Sequence, residues 1–119
     1  MSFVRDFATG VHFDSIKAKE LELAAEEILI NIIKYAYPDT AGSIEVSCEH
    51  HDKSISITVV DEGVPFNILA AKMPNTSLPL EEREIGGMGI FLMRQFVDDI
   101  TYTYTHGKNK VTLIKKECS

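Results

Sequence analysis

Glu27 and Asn31 stand four residues apart in the run KELELAAEEILINIIKYAY, a spacing that makes two side chains neighbours on one helix face. A carboxamide oxygen is a hard ligand suited to Mg²⁺, which fills its shell with water and phosphate oxygens. A carboxylate beside it can orient or deprotonate a nucleophile. A second candidate, Asp61, closes the run SISITVVD and is followed by Glu62 and Gly63. A carboxylate at a strand end can accept a hydrogen bond from a ligand amino group, such as the exocyclic nitrogen of adenine, and a glycine next to it lets backbone approach a flat ring. The third candidate is EIGGMGIFLMRQFVDD, where Gly86, Gly87 and Gly89 crowd the start of an apolar helical run. Free N–H groups and the positive end of a helix dipole attract phosphate there.

Each feature also has an ordinary reading. E-x-x-x-N fits an exposed helix face with an intrahelical Glu–Lys pair, Asp and Gly terminate strands through turn chemistry, and clustered glycines make a hinge. The familiar phosphate loops are absent. Gly107-Lys108-Asn109 lacks the G-x-x-x-x-G-K-[ST] pattern, and Gly87-Met88-Gly89 has Leu92 in place of the third glycine of G-x-G-x-x-G. The protein-kinase signatures are missing as well.

The elements that must position these residues follow from periodicity. Phe3, Val4 and Phe7 predict a short helix over 2–10, stopped at Gly10. Asp14 or Ser15 caps a long second helix that runs to about Tyr37, before Pro38. On that helix Leu21, Ala25, Ile28, Leu29 and Ile32 share the core face. Glu20, Glu27, Asn31 and Lys34 form a narrow polar stripe. Leu23 and Ile30 border it on one side and Ala24 on the other, as expected for a stripe set into a partly buried surface. SIEVSCEH and SISITVVD alternate as a hairpin, and DITYTYTH and NKVTLIKK as another around Gly107. Residues 64–85 are irregular, with three prolines, and a helix follows over 88–97. A loop this long is usually a lid, a binding loop or disordered. Helix, helix, strand, strand, loop, helix, strand, strand predicts an α+β sandwich, a mixed or antiparallel sheet with helices on one face.

The 119 residues, 45% hydrophobic and 25% charged, suit one domain with a modest core. The formal net charge of −6 and the lack of a basic stripe argue against nucleic acid as a partner. No apolar run reaches membrane-span length, and MSFVRDFATG has no signal-peptide core. A cytoplasmic chain without a membrane partner is therefore expected. Cys48 and Cys118 make no disulfide framework or metal spacing. His12, His50, His51 and His106 lack ligand spacing and read as surface residues.

In this order, E-x-x-x-N on a long helix, D-x-G at a strand end, a long loop and G-G-x-G before a helix resemble the GHKL ATP-binding superfamily, the Bergerat-fold group. EEILINIIKYAY, VVDEGVPFNI, EIGGMGIFLMRQFVDDITY and GKNKVTLIKK look like its small single-domain anti-sigma-factor serine kinases, and the resemblance runs from about Phe13 to Lys116. It implies a single ATP-binding domain over 1–119 with an ATP lid at about 64–85. Asn31 would bind the Mg²⁺ that bridges the phosphates, and Glu27 would be the general base acting on a serine hydroxyl. Asp61 would bond the adenine amino group, with Gly63 beside the ring. Gly86, Gly87 and Gly89 would line the phosphates. Thr112 would support the adenine-binding aspartate, and Lys34 would help with phosphate charge. The family usually has a strand before its first helix, which Met1 and Ser2 leave no room for. Its N-terminal region tends to contribute dimer contacts, so a homodimer is one of the states the resemblance allows. The aspartate box, DEGVPF, lacks the second glycine of D-x-G-x-G, a form common among the small anti-sigma-like proteins.

The implied function is phosphorylation of a serine on a STAS-type anti-anti-sigma partner by Mg-ATP, with a sigma factor regulated by partner switching. The alternative is a non-catalytic ATP/ADP-binding module that acts through a protein partner. The same nucleotide residues serve both. A nucleotide-independent scaffold stands third. Gyrase-like or chaperone-like hydrolysis would need further domains.

Overall fold

The computed structural model describes residues 2–37, 42–70 and 93–117. Two helices come first, α1 over Ser2–Gly10 and α2 over Ser15–Asn31, and α2 continues into a π-helical turn at Ile32–Ala36. Strands β1 (Ile44–His51) and β2 (Ser54–Asp61) follow, then a 3₁₀ turn at Ile68–Ala70. Residues 93–96 are helical and lead to β3 (Asp99–Thr105) and β4 (Lys108–Lys116). The four strands form one sheet in the order β1-β2-β4-β3, antiparallel at every pairing. This is the expected α+β sandwich, and of the two sheet types expected it is the antiparallel one.

Local chemistry explains the helix ends. Asp14 is the N-cap of α2, and its side chain accepts the Lys17 N–H at 2.9 Å, satisfying one of the donors a helix start leaves free. α1 does end at Gly10, but the left-handed residue that turns the chain is His12, at φ 58°. The main-chain N–H groups of Val11, His12 and Phe13 close back onto the last turn of α1.

Burial alternates along both central strands with the period of two that a pleated strand imposes. Ile55, Ile57 and Val59 of β2 and Val111 and Leu113 of β4 meet Leu21, Ala25, Ile28 and Ile32 of the α2 segment in one core. Leu29 packs against it partly buried. Asp61 and Asn109 continue the same two rows at one end of the sheet, and Lys115 lies near the other. Lys115 Nζ is 3.4 Å from Glu20 Oε1, so the first member of the polar stripe serves the contact between helix and sheet. The aliphatic border of the stripe is one-sided: Ala24 is buried, whereas Leu23 and Ile30 are 39% and 42% exposed.

On α2 one buried charge lies outside the stripe. Glu22 accepts hydrogen bonds on Oε1 from Arg5 of α1 at 2.7 Å and from Lys19 at 3.1 Å. Burial pushes this carboxyl up, but the bonds from Lys19 and Arg5 and the Arg5 charge outweigh it and hold the acid below its usual value. The sign follows from linkage. An acid lowered in the fold stabilises it above the unfolded-state value, and that contribution is lost as pH falls through the folded one. Both cations are half exposed, which softens the loss of the pair. Glu22→Gln should therefore lower stability by about 1.5–3 kcal/mol at neutral pH. Urea midpoints at pH 7 and pH 4 test this, with the gap between the two proteins narrowing at the lower pH.

No helix among the described residues is long and apolar enough to cross a membrane. All four histidines are exposed. Gly86, Gly87, Gly89, most of the 64–85 loop and the first half of the 88–97 helix lie outside the described residues.

Candidate functional site

α2 places Glu27 and Asn31 one turn apart, and the contact predicted from spacing is made. Asn31 Nδ2 donates to Glu27 Oε1 at 2.9 Å and to the Glu27 main-chain carbonyl at 2.8 Å. Both amide protons thus face Glu27, which leaves the amide oxygen as the hard donor a Mg²⁺ ion needs. Asn31 itself is only 1% exposed, so its orientation is held by packing as well. Glu27 is half buried. Burial raises its pKa above the usual carboxylate value, while the Asn31 hydrogen bond and the Lys34 charge pull the other way and do not cancel the rise. A carboxylate raised in this way is a better proton acceptor. Lys34 stands exposed on the π-helical turn. Among the described residues no three His, Cys, Asp or Glu side chains group to hold a metal ion. A cation at Asn31 would draw its other ligands from water and from a bound phosphate.

The second part of the site lies at the end of β2. Asp61 continues the row Ile55, Ile57, Val59, so its carboxylate falls on the helix-covered face, 2% exposed. A buried carboxylate is costly unless it is hydrogen-bonded. Two donors meet this need on a single oxygen: Oδ1 accepts the Gly63 N–H at 2.9 Å and Asn109 Nδ2 at 2.9 Å.

Gly63 has a structural reason within the fold itself. A Cβ there would lie 2.3 Å from the Ala36 carbonyl oxygen and 2.8 Å from the Ala36 side chain. Its missing side chain therefore makes room for the end of the π-helical turn. The neighbouring Val64 N–H donates to the same Ala36 carbonyl at 2.9 Å. Tyr37 adds a second tie: its hydroxyl donates to the Ser43 carbonyl and accepts the Glu62 N–H, each at 2.8 Å. Tyr35 stacks on Phe66 with ring centroids 5.1 Å apart. The π-helical turn thus joins the Glu27–Asn31 helix to the Asp61 loop, and such turns often mark functional sites.

Thr112 does not reach this place. It pairs across β4 with Thr58 and Thr101, on the opposite sheet face from Asp61. The residue in register with Asp61 is Asn109, and it makes the supporting contact. Glu27, Asn31, Lys34, Asp61 and Gly63 all lie on the connected segments just traced, whereas Gly86, Gly87 and Gly89 lie outside the described residues. A cleft of roughly 590 Å³ between α1 and α2, lined by Arg5, His12, Phe13 and Lys19 among others, contains none of these residues.

The family model described as the histidine kinase-like ATPase domain matches residues 1–115. This chain belongs to that family. Among its curated relatives, the serine-protein kinase RsbW of Bacillus cereus (strain AH187) is 30% identical over 103 residues, covering 83% of this chain and 63% of the relative. The serine/threonine-protein kinase BtrW of Bordetella bronchiseptica is 30% identical over 94 residues, covering 78% and 66%. The chain thus spans about two thirds or less of the length of these relatives. Among solved structures, the Acinetobacter baumannii histidine kinase AdeS superposes with a TM-score of 0.57 at 17% identity, over 86% of this chain and 48% of that one. That likeness is one of fold.

Within the histidine kinase-like ATPase domain, sequence reasoning missed Asn109 and Ala36. The alternation of β4 marks Asn109 as sharing a face with Val111 and Leu113, but not as standing opposite Asp61. No local signal marks Ala36, whose role depends on a π-helical turn.

Proposed function

We propose that this chain is an ATP-dependent protein serine kinase of the partner-switching kind. It phosphorylates a serine on a STAS-type anti-anti-sigma protein and through that partner regulates a sigma factor. The observation that carries this reading is the Glu27 carboxylate, raised by burial and oriented by Asn31 on the same helix face. Asp61 accepts the adenine amino group on its remaining oxygen. Asn31 would hold Mg²⁺ through its amide oxygen, and the ion would supply positive charge against the phosphates. Lys34 adds a positive charge beside it. The family resemblance would put Gly86, Gly87 and Gly89 at the phosphates and a lid at about 64–85; the glycines and most of that span lie outside the described residues. Glu27 takes the proton of the serine hydroxyl as that oxygen bonds to the γ-phosphorus, and the bond to the β-phosphate oxygen breaks with its electrons leaving on ADP. The serine kinases among the relatives support this chemistry.

The test is transfer of label from radioactive ATP to the cognate STAS-type protein. A labelled serine is the expected result. Nucleotide binding without transfer at saturating partner reduces the chain to an ATP/ADP-binding module. No heat and no thermal shift with millimolar Mg-ADP leaves a nucleotide-independent scaffold.

A further inference from the structure

Asn109 is 2% exposed and makes every hydrogen bond its carboxamide can make. Nδ2 donates to Asp61 Oδ1 and to the Val64 carbonyl, both at 2.9 Å. Oδ1 accepts the Phe66 N–H at 3.0 Å and the Tyr102 hydroxyl at 2.5 Å. The main-chain partners fix which end is which, since an N–H only donates and a carbonyl only accepts. Tyr102 belongs to β3, the strand beyond β4, and pairs there with Val111. Its hydroxyl thus reaches diagonally to Asn109, a span open to a long aromatic side chain.

We infer that Tyr102 is a positioning residue for base selection, acting through Asn109 on Asp61. The hydroxyl holds the carboxamide with its NH₂ toward Asp61, and that donor together with the Gly63 N–H occupies one carboxylate oxygen. The second oxygen is left as an acceptor for a base that carries an amino group. A base that presents a carbonyl oxygen at the same place meets no donor there. Burial keeps the Tyr102 phenol protonated well above neutral pH, so it stays a donor in the working range. This inference rests on the adenine-nucleotide reading of the site.

Calorimetric titration of the purified chain with Mg-ADP and Mg-GDP tests it. Tyr102→Phe removes the hydroxyl and keeps the ring. It should weaken ADP binding about 3–10-fold, the worth of one neutral hydrogen bond, and leave GDP binding unchanged, so that the ADP-to-GDP preference falls by the same factor. Asn109→Asp turns a carboxylate oxygen toward Asp61 and should weaken ADP binding more than about 10-fold. This second variant decides the matter where the first fails to fold by circular dichroism. An unchanged preference in both variants, or an equal loss for both nucleotides, overturns the positioning role alone. Wild-type protein that binds neither nucleotide overturns the adenine reading and this inference with it.

Discussion

Glu27→Gln should lose about 10²–10⁴-fold in phosphotransfer, the usual worth of a positioned general base, while binding Mg-ADP as the wild type does. Glutamine keeps the side-chain length and can still accept the Asn31 Nδ2 hydrogen bond through its amide oxygen, so the geometry of the helix face survives. What it loses is the ability to take a proton. Single-turnover transfer and Mg-ADP titration on the same preparation separate the two effects. A variant that transfers phosphate as fast as wild type would remove Glu27 from the mechanism. Because burial raises this carboxyl and only its deprotonated form is a base, the wild-type rate should climb with pH through a value above the ordinary glutamate range. The residual rate of the glutamine variant should not follow that climb.

Asp61→Asn should weaken ADP binding by about 10–150-fold, the equivalent of 1.5–3 kcal/mol for a hydrogen bond to a charged group. The reasoning is geometric. Oδ1 receives two donors, from Gly63 and Asn109, so an asparagine must place its own oxygen there. Its NH₂ then faces the ligand, donor against donor for an adenine amino group. A base with a carbonyl at that position should lose much less affinity or gain some. Titration with Mg-ADP and Mg-GDP measures this, and unchanged ADP affinity would place the base elsewhere.

Much of the frame was legible because it rests on local repetition. SISITVVD alternates from end to end, and its last residue had to share a face with Ile55, Ile57 and Val59, whatever its chemistry. The α2 core face and the Glu27–Asn31 contact follow from 3.6 residues per turn. Asn109 was hidden because its partner lies 48 residues away, across two strands that are neighbours in the sheet but not in the chain. Thr112 belongs to the same strand, yet an offset of three residues changes parity and carries a side chain to the other face. Gly63 was legible as a site of close approach. That the approaching group is the Ala36 carbonyl could not be read, because an α-helix continued through Ile32–Ala36 would put that carbonyl elsewhere.

The π-helical turn at Ile32–Ala36 sets the angular phase between two halves of the molecule. A residue removed from an α-helix rotates everything beyond it by about 100°. Deleting one residue between Asn31 and Ala36 would relax the wide turn to ordinary pitch, yet swing the Ala36 carbonyl away from the Val64 N–H that it accepts. The helix would gain regularity, and the Asp61 loop would lose its mooring. The number of residues in this short span, and not only their chemistry, therefore fixes where the Asp61 loop is held.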